Sequence, residues 1–329
     1  MQFNEPTFLL LFLPILLLAY YTLRQFREQL LVLASLIFVV WAAKQTVLVL
    51  ALLLAFNVVL AGYVRGRRSL LVVGIVVDLV ALLWCNYENF FHLPPPPLRP
   101  PGLSFFTFVA IAYLVDVYRG EAEPLQEAAA INYFLLFPKF FAGPIVRYRD
   151  MLQREHSVER FASGVRRFII GLGKKILIAT TVGTVADNVF ALPADSLRMD
   201  LAWLGVIAYT VQIYFDFSGY TDMAIGLGAM FGFKLPENFD YPYVSTSIRE
   251  FWRRWHMTLS NWLRDYLYIP LGGSRCAPWR VYFNLAVVFL ICGFWHGASW
   301  NYIVWGALQG VFLLTERATG NKDLRSEEH

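Results

Sequence analysis

The chain has 329 residues, of which 57% are hydrophobic, 17% aromatic and only 16% charged, against about 25% charged in a soluble domain. With a mean hydropathy of +0.50, that balance excludes an ordinary soluble globule and makes lipid the solvent. The net charge of +4 gathers in short connecting segments such as Arg65, Arg67 and Arg68, which reads as a topology signal and excludes a nucleic-acid surface.

Apolar stretches recur from end to end, so the expected architecture is one all-α, polytopic membrane domain over residues 1–329. Crossing a hydrocarbon core about 30 Å thick takes about 20 apolar residues in a helix. The first candidate segments are residues 7–23, 30–43, 46–64, 69–84 and 103–117. Residues 131–142, 168–190, 201–217, 281–294 and 302–314 follow, which makes about ten hydrophobic helices. Several are short and interrupted by Gly or Pro, the pattern of helices that enter and return, which lipid tolerates only where protein covers their ends. The first stretch follows Glu5 and lacks both flanks of a cleavable signal peptide, so it is taken as the first span.

The basic groups Arg65 to Arg68, Arg147 to Arg154 and residues 166–175 belong on the cytoplasmic side. Counting back from the first group puts the N-terminus outside. Counting forward keeps the later groups inside only if residues 131–142, broken by Pro138, enter and return without crossing. The Pro-rich residues 93–102 then form a stiff connector outside. Cys85, Cys276 and Cys292 lie far apart with no CxxC pair, so neither a disulfide framework nor a metal site is expected. No repeat at a fixed period stands out, which weakens an inverted-repeat transporter.

From Gly219 to Gly273 polar, aromatic and charged residues mix densely, with Gly226, Gly228, Gly232 and Pro236 as punctuation. Within this region residues 248–267 read as one amphipathic helix, opened by Ser247 as N-cap with Glu250 at capping-box spacing. Trp252, Trp255, Leu259, Trp262, Leu263 and Tyr266 gather on one face, and Arg253, Arg254, Asn261, Arg264 and Asp265 occupy the rest. An interfacial aromatic anchor explains that face as well as a cavity roof does. His256 falls at the seam, beside Ser260 and Arg253.

His296 ends a strongly apolar run, between Trp295 and Gly297. Spacing alone favours a satisfied core histidine, yet ionisable groups at membrane depth are costly and are functional candidates by default. Imidazole also moves protons near neutral pH. Asp216 and Asp222 flank Phe217-Ser-Gly-Tyr-Thr221. They orient a histidine, hold a substrate hydroxyl, or pair with arginines of the polar helix, and pairing is the preferred reading. A Gly-x-Ser-x-Gly elbow, a Walker motif and an HExxH motif are absent from the sequence.

Five motifs carry a resemblance. They are Phe137-Pro-Lys-Phe-Phe-Ala-Gly-Pro-Ile145, Asp216-Phe-Ser-Gly-Tyr-Thr-Asp-Met-Ala224, Pro236-Glu-Asn-Phe-Asp-Tyr-Pro-Tyr243, Phe251-Trp-Arg-Arg-Trp-His-Met-Thr-Leu-Ser260 and Phe294-Trp-His-Gly-Ala-Ser-Trp300. In this order they resemble the membrane-bound O-acyltransferases, in particular the branch that O-acetylates alginate and related polysaccharides. The D-alanyl transfer branch shares Trp-His-Met, but the continuation Arg264-Asp-Tyr-Leu-Tyr-Ile-Pro-Leu-Gly-Gly273 is closer to polysaccharide acetylation.

The resemblance implies a ring of helices around a central tunnel, with His296 catalytic and His256 a second pocket histidine. The candidate substrate-binding residues beside them are Arg253, Arg254, Lys139, Asp216, Asp222, Trp295 and Ser260. No bound cofactor is implied: the donor is an acyl thioester, acetyl-CoA or an acyl carrier, which enters as substrate. The implied partners are membrane lipid, a polysaccharide acceptor and a periplasmic or extracellular transferase, and the implied location is a bacterial inner membrane. Two rivals from other classes stand beside it, a transporter using the same polar groups and a scaffold for a periplasmic transferase. Family members usually continue past the segment matching residues 302–314 with further spans, whereas here a polar tail, residues 316–329, follows. A compact member, or one truncated at its C-terminus, is expected.

The topology is checked by cysteine labelling in intact cells. Arg67→Cys should be protected from a membrane-impermeant thiol reagent, and efficient labelling there would overturn the assignment.

Overall fold

The computed structural model describes residues 2–96, 98–151 and 154–319, and the regular structure within them is helical apart from one isolated β-bridge, Arg154 to Phe233. Helices α1 (Leu13–Thr22), α2 (Arg27–Ala43), α3 (Val47–Val64), α4 (Arg68–Tyr87) and α5 (Leu103–Arg119) come first. They are followed by α6 (Glu127–Leu135), α7 (Tyr148–Met151), α8 (Val158–Gly173), α9 (Thr180–Phe190) and α10 (Met199–Met230). The last are α11 (Ile248–Arg254), α12 (Met257–Leu263), α13 (Pro278–His296) and α14 (Trp300–Thr319). Five helical stretches are long and apolar enough to cross a membrane: Arg24–Val64, Arg68–Tyr87, Val158–Phe190, Met199–Met230 and Pro278–His296. The shorter apolar stretch Phe8–Thr22 adds to them. Residue 97 of the Pro-rich connector and residues 320–329 of the polar tail lie outside the described residues.

The chain divides into two compact units, each assembled from segments distant in sequence. The first comprises Met1–Lys44 and Gln126–Pro236. Its interior holds a cluster of phenylalanines, Phe3, Phe8, Phe38, Phe137 and Phe168, all buried. Their rings meet at centroid distances such as 5.1 Å for Phe3 with Phe8 and 5.7 Å for Phe38 with Phe137. The Pro138 segment behaves as its sequence suggests. Helix α6 has nine residues, a rise of about 14 Å that falls well short of a bilayer core. A buried 3₁₀ turn, Phe137–Lys139, follows it.

Helix α10 departs from the expected pattern. The apolar run was expected to stop at residue 217, with glycines punctuating the segment after it, yet the helix continues for 32 residues to Met230. Gly219 and Gly226 do not break it, because they are its contact points with α8. A Cβ added at Gly171 would lie 2.6 Å from the Gly219 carbonyl oxygen, and one at Gly164 would lie 2.7 Å from that of Gly226. Both pairs are seven residues apart, two helical turns. Lipid supplies no hydrophobic force between helices, so close backbone approach through small residues drives their packing. The break comes at Gly232, whose φ of +86° suits glycine.

The crossing brings acidic α10 against basic α8. Asp222 accepts from Arg167 at 2.8 Å and from Lys174 at 2.6 Å, and Lys175 pairs with Asp216. Pairing is therefore what these aspartates do, but with the basic run of residues 166–175 and not with arginines of the polar segment 248–267.

The second unit comprises Gln45–Leu125 and Glu237–His329. Helix α5 is its core: every residue from Phe106 to Val117 is buried, as expected of a helix apolar all round. Most of the polar groups on α5 are engaged, the buried Thr107 hydroxyl being an exception. Tyr266 donates to Asp116 at 2.8 Å, the Tyr113 hydroxyl accepts from Leu125 N at 2.7 Å, and the Trp262 indole donates to the Phe108 carbonyl at 2.9 Å. Helices α13 and α14 cross at a further glycine pair, where a Cβ on Gly293 would lie 2.9 Å from Gly306 Cα.

The α8–α10 crossing is tested by adding one methyl group. Gly171→Ala should cost about 1–3 kcal/mol through overpacking and lower the melting temperature in detergent. Gly62→Ala, where a Cβ meets nothing within 4 Å, should leave it unchanged, and equal behaviour of the two variants would contradict the close approach.

Candidate active site

The polar region of the second unit opens as its sequence suggests. Ser247 caps α11, its hydroxyl accepting from Glu250 N at 3.0 Å. The Glu250 carboxylate reaches back to Thr246 N at 2.9 Å, one residue beyond the usual capping-box partner. A third amide at this helix start, Ile248 N, donates to Glu316 at 2.7 Å. Glu316 thus belongs to the last turns of α14 and not to a polar tail.

The single helix expected over residues 248–267 is not formed. Helix α11 stops at Arg254, Trp255 is extended, and His256 adopts the left-handed conformation (φ 44°, ψ 53°) before α12 begins. A left-handed non-glycine residue costs roughly 1–2 kcal/mol. The compensation comes from Asn238, whose Oδ1 accepts from Thr258 N at 3.2 Å, Thr258 Oγ1 at 2.9 Å and His256 Nδ1 at 3.1 Å. Its backbone carbonyl accepts from Met257 N at 3.0 Å, and Asp240 N donates to the Arg254 carbonyl at 3.0 Å. Because Thr258 N can only donate, the Asn238 atom facing it is the oxygen. His256 Nδ1 therefore carries the hydrogen, and Nε2 carries the lone pair of the neutral ring. Burial, with the nearby His296 second, pulls this imidazole down to about 3, so it is neutral at physiological pH.

The break also rotates the aromatic residues off a common face. Trp252 meets Phe289 and Trp305, Trp255 stacks on Phe251, and Trp262 packs on Phe108. His256 sits at no helix seam. It is 2% exposed, inside the protein.

His296 ends α13, one turn beyond the Gly293–Gly306 contact. The space beside Gly297 is filled by the Tyr302 ring, which explains why a side chain is excluded there. The His296 ring packs edge-on against Trp305 at 5.2 Å and stacks on Tyr302 at 6.4 Å, yet it keeps an accessible face. Trp295 is the shared neighbour of the two histidines, with ring centroids 4.8 Å from His296 and 6.3 Å from His256. It is held from below by Phe108 at 5.0 Å and through its carbonyl by the Tyr87 hydroxyl at 2.7 Å.

A cavity of about 380 Å³ is bounded by α11, α12 and α13, and His256, Trp295 and His296 are not themselves on its wall. Trp252, Arg253, Met257, Ser260 and Cys292 are on its wall. His256 precedes Met257, and His296 lies four residues past Cys292, on the same face of α13 one turn along. Ser260 ties α12 across the break to the Trp252 carbonyl at 3.1 Å. Arg253 is on the cavity wall, and Arg254 is off it, engaged by Glu250 at 2.9 Å and Asp240 at 3.3 Å.

The second unit thus brings together His256, His296, Trp295, Arg253 and Ser260. Lys139, Asp216 and Asp222 belong to the first unit. Lys139 is buried under the Tyr133 ring, its Nζ 5.0 Å from the centroid, and burial pulls its ammonium down to about 7. Two residues carried no signal in the sequence. Asn238 lies inside one of the motifs, but an asparagine in a loop gives no sign of three convergent donors. Trp305 looks like one more apolar residue of a span.

Comparison with known proteins points the same way. The profile of the membrane-bound O-acyltransferase family matches residues 6–321. The probable alginate O-acetylase of Pseudomonas aeruginosa is 44% identical over 97% of this chain and 66% of its own length. The peptidoglycan O-acetyltransferase of Helicobacter pylori is 37% identical over 96% of this chain and 70% of its own. The teichoic acid D-alanyltransferase of Bacillus subtilis is 29% identical over 81% and 74%. The chain spans about two thirds of the length of these acetylating relatives. With the family profile covering nearly its whole length, the chain belongs to the membrane-bound O-acyltransferase family.

Proposed function

We propose that the chain transfers an acyl group, acetyl in the first instance, to a hydroxyl of a polysaccharide or cell-wall polymer at a bacterial inner membrane. The observation that carries this reading is the cluster His296–Trp295–His256, whose chain neighbours Met257 and Cys292 line a cavity with an arginine on its wall. Relatives named for acetylation of alginate and of peptidoglycan support the acyl group and the acceptor class.

In the proposed step His296 takes the proton of the acceptor hydroxyl as that oxygen attacks the thioester carbonyl. The new C–O bond forms, the C–S bond breaks, and the departing thiolate recovers the proton from the imidazolium. A positioned base contributes roughly 10² to 10⁴ in rate, and holding the reactants together supplies much of the rest. Neutral His256, anchored through Nδ1, turns a fixed ring toward Trp295 and restrains one reactant. The Trp295 Nε1 and Asn238 Nδ2 donors have no hydrogen-bond partner among the described residues. They are available to the oxyanion that develops on the carbonyl. Arg253, on the cavity wall, meets donor phosphates. The donor is a cytoplasmic thioester, acetyl-CoA or an acyl carrier, and it reaches the histidines through a tunnel. A periplasmic transferase then completes delivery where the acceptor does not meet this chain.

Labelled acetyl transfer by the purified chain, with and without partner proteins, tests this. His296→Gln keeps most of the volume and a hydrogen-bonding head but cannot exchange a proton. It should lose on the order of 10² to 10⁴ in rate at equal protein in the membrane, and transfer near the parent rate would remove His296 from the mechanism. His256→Ala should lower transfer more than it lowers the melting temperature. Full activity per molecule in a variant that disappears from the membrane would make His256 structural.

A further inference from the structure

A second cavity, of about 440 Å³, lies wholly within the first unit and plays no part in the proposed reaction. It sits where three helices end together: the C-terminus of α1 and the N-terminus of α2, both apolar, and the N-terminus of the amphipathic α8. The apolar stretches Phe8–Thr22 and Arg24–Val64 meet at this turn, and the end of an apolar span is where hydrocarbon gives way to water. The wall has two characters. Tyr21 and Phe161 pack edge to face at 5.5 Å and supply an apolar side. Arg24, Arg27, His156 and Ser157 supply the other.

The basic groups are arranged and not merely nearby. Arg27 lies over the rings of Tyr20 at 5.0 Å and Tyr21 at 5.5 Å, and its Nε donates to the Tyr20 carbonyl at 3.2 Å. His156 is fixed through Nε2 to the Tyr20 hydroxyl at 2.9 Å. Two carboxylates of this region are already engaged, Glu28 with Arg154 and Glu155 with Arg160 at 3.2 Å, and a third, Glu159, lies in the first turn of α8. Among the described residues neither Arg24 nor Arg27 has a carboxylate partner. Burial first, then Arg27, Arg154 and Arg160, pull the His156 imidazole below its ordinary value. Ser157 caps the 16-residue helix α8, whose dipole adds to the positive field of these groups.

We infer that this cavity binds the phosphodiester headgroup of an anionic phospholipid, with Arg24 and Arg27 on the phosphate and Tyr21 and Phe161 against the first part of the acyl chains. Basic pockets between spanning helices at the membrane surface suit such headgroups. An inorganic phosphate would satisfy the arginines alone and leave the aromatic wall without a partner.

The test titrates the purified full chain, in neutral detergent, with short-chain phosphatidylglycerol, short-chain phosphatidylcholine and inorganic phosphate, and reads bound ligand by native mass spectrometry. Saturable binding of phosphatidylglycerol, well above that of the other two, is expected. Arg24→Gln should weaken it about fivefold, the effect of one arginine at a membrane surface, without changing the melting temperature. Arg24→Lys, which keeps the charge, should bind like the parent, as should Arg198→Gln at an exposed arginine elsewhere. Equal binding of phosphatidylglycerol and phosphatidylcholine, or parent-like binding by Arg24→Gln, overturns the site. Inorganic phosphate binding as tightly as phosphatidylglycerol overturns the lipid assignment.

Discussion

One buried carboxamide oxygen, Asn238 Oδ1, holds the chain where a helix would otherwise continue. Three donors converge on it from His256 and Thr258, and each such bond is worth about 1 kcal/mol net. Together they outweigh the roughly 1–2 kcal/mol of a left-handed non-glycine residue. Leaving that oxygen bare in the interior would cost more than either, since an unsatisfied buried acceptor forfeits its solvation. The break follows from the need to satisfy these groups. With it, His256 turns inward to Trp295, and the short helices on either side close one wall of the cavity.

The second histidine is placed by an independent device. Close contact of Gly293 with Gly306 brings α13 and α14 together, and the aromatic rings of Trp305 and Tyr302 then flank His296, which stays exposed. The first unit relies on the same physics at Gly164, Gly171, Gly219 and Gly226, with ion pairs added. In lipid an unpaired Asp222 would be very costly, so Arg167 and Lys174 are as much a requirement for α10 as its apolar residues.

Hydropathy made the helices legible because the cost of an unsatisfied backbone in lipid leaves few alternatives. The Ser247 cap was legible because its chemistry is local. The full length of α10 was not, since a glycine that breaks a helix and one that admits a neighbour look alike until the neighbour is known. The interruption at His256 was hidden for a related reason: no Gly or Pro marks it, and the group that stabilises it, Asn238, lies 18 residues away. His296 stood out only as an ionisable residue ending an apolar run, and the surrounding motif, not its spacing, singled it out. Arg254 read as a candidate for the substrate site, whereas its i,i+4 neighbour Glu250 and the more distant Asp240 hold it.

That the acyl donor reaches His296 through the cavity beside α11 and α12 is tested most directly by mapping a bound donor analogue. A pantetheine thioether carrying a short photoreactive acyl group, added to the purified chain, should crosslink to peptides containing Met257 to Ser260 and Cys292 to His296. Labelling should be suppressed by the natural thioester. Labelling confined to residues 126–236, with the histidine-bearing peptides unmodified, would contradict the assignment of this cavity to the donor.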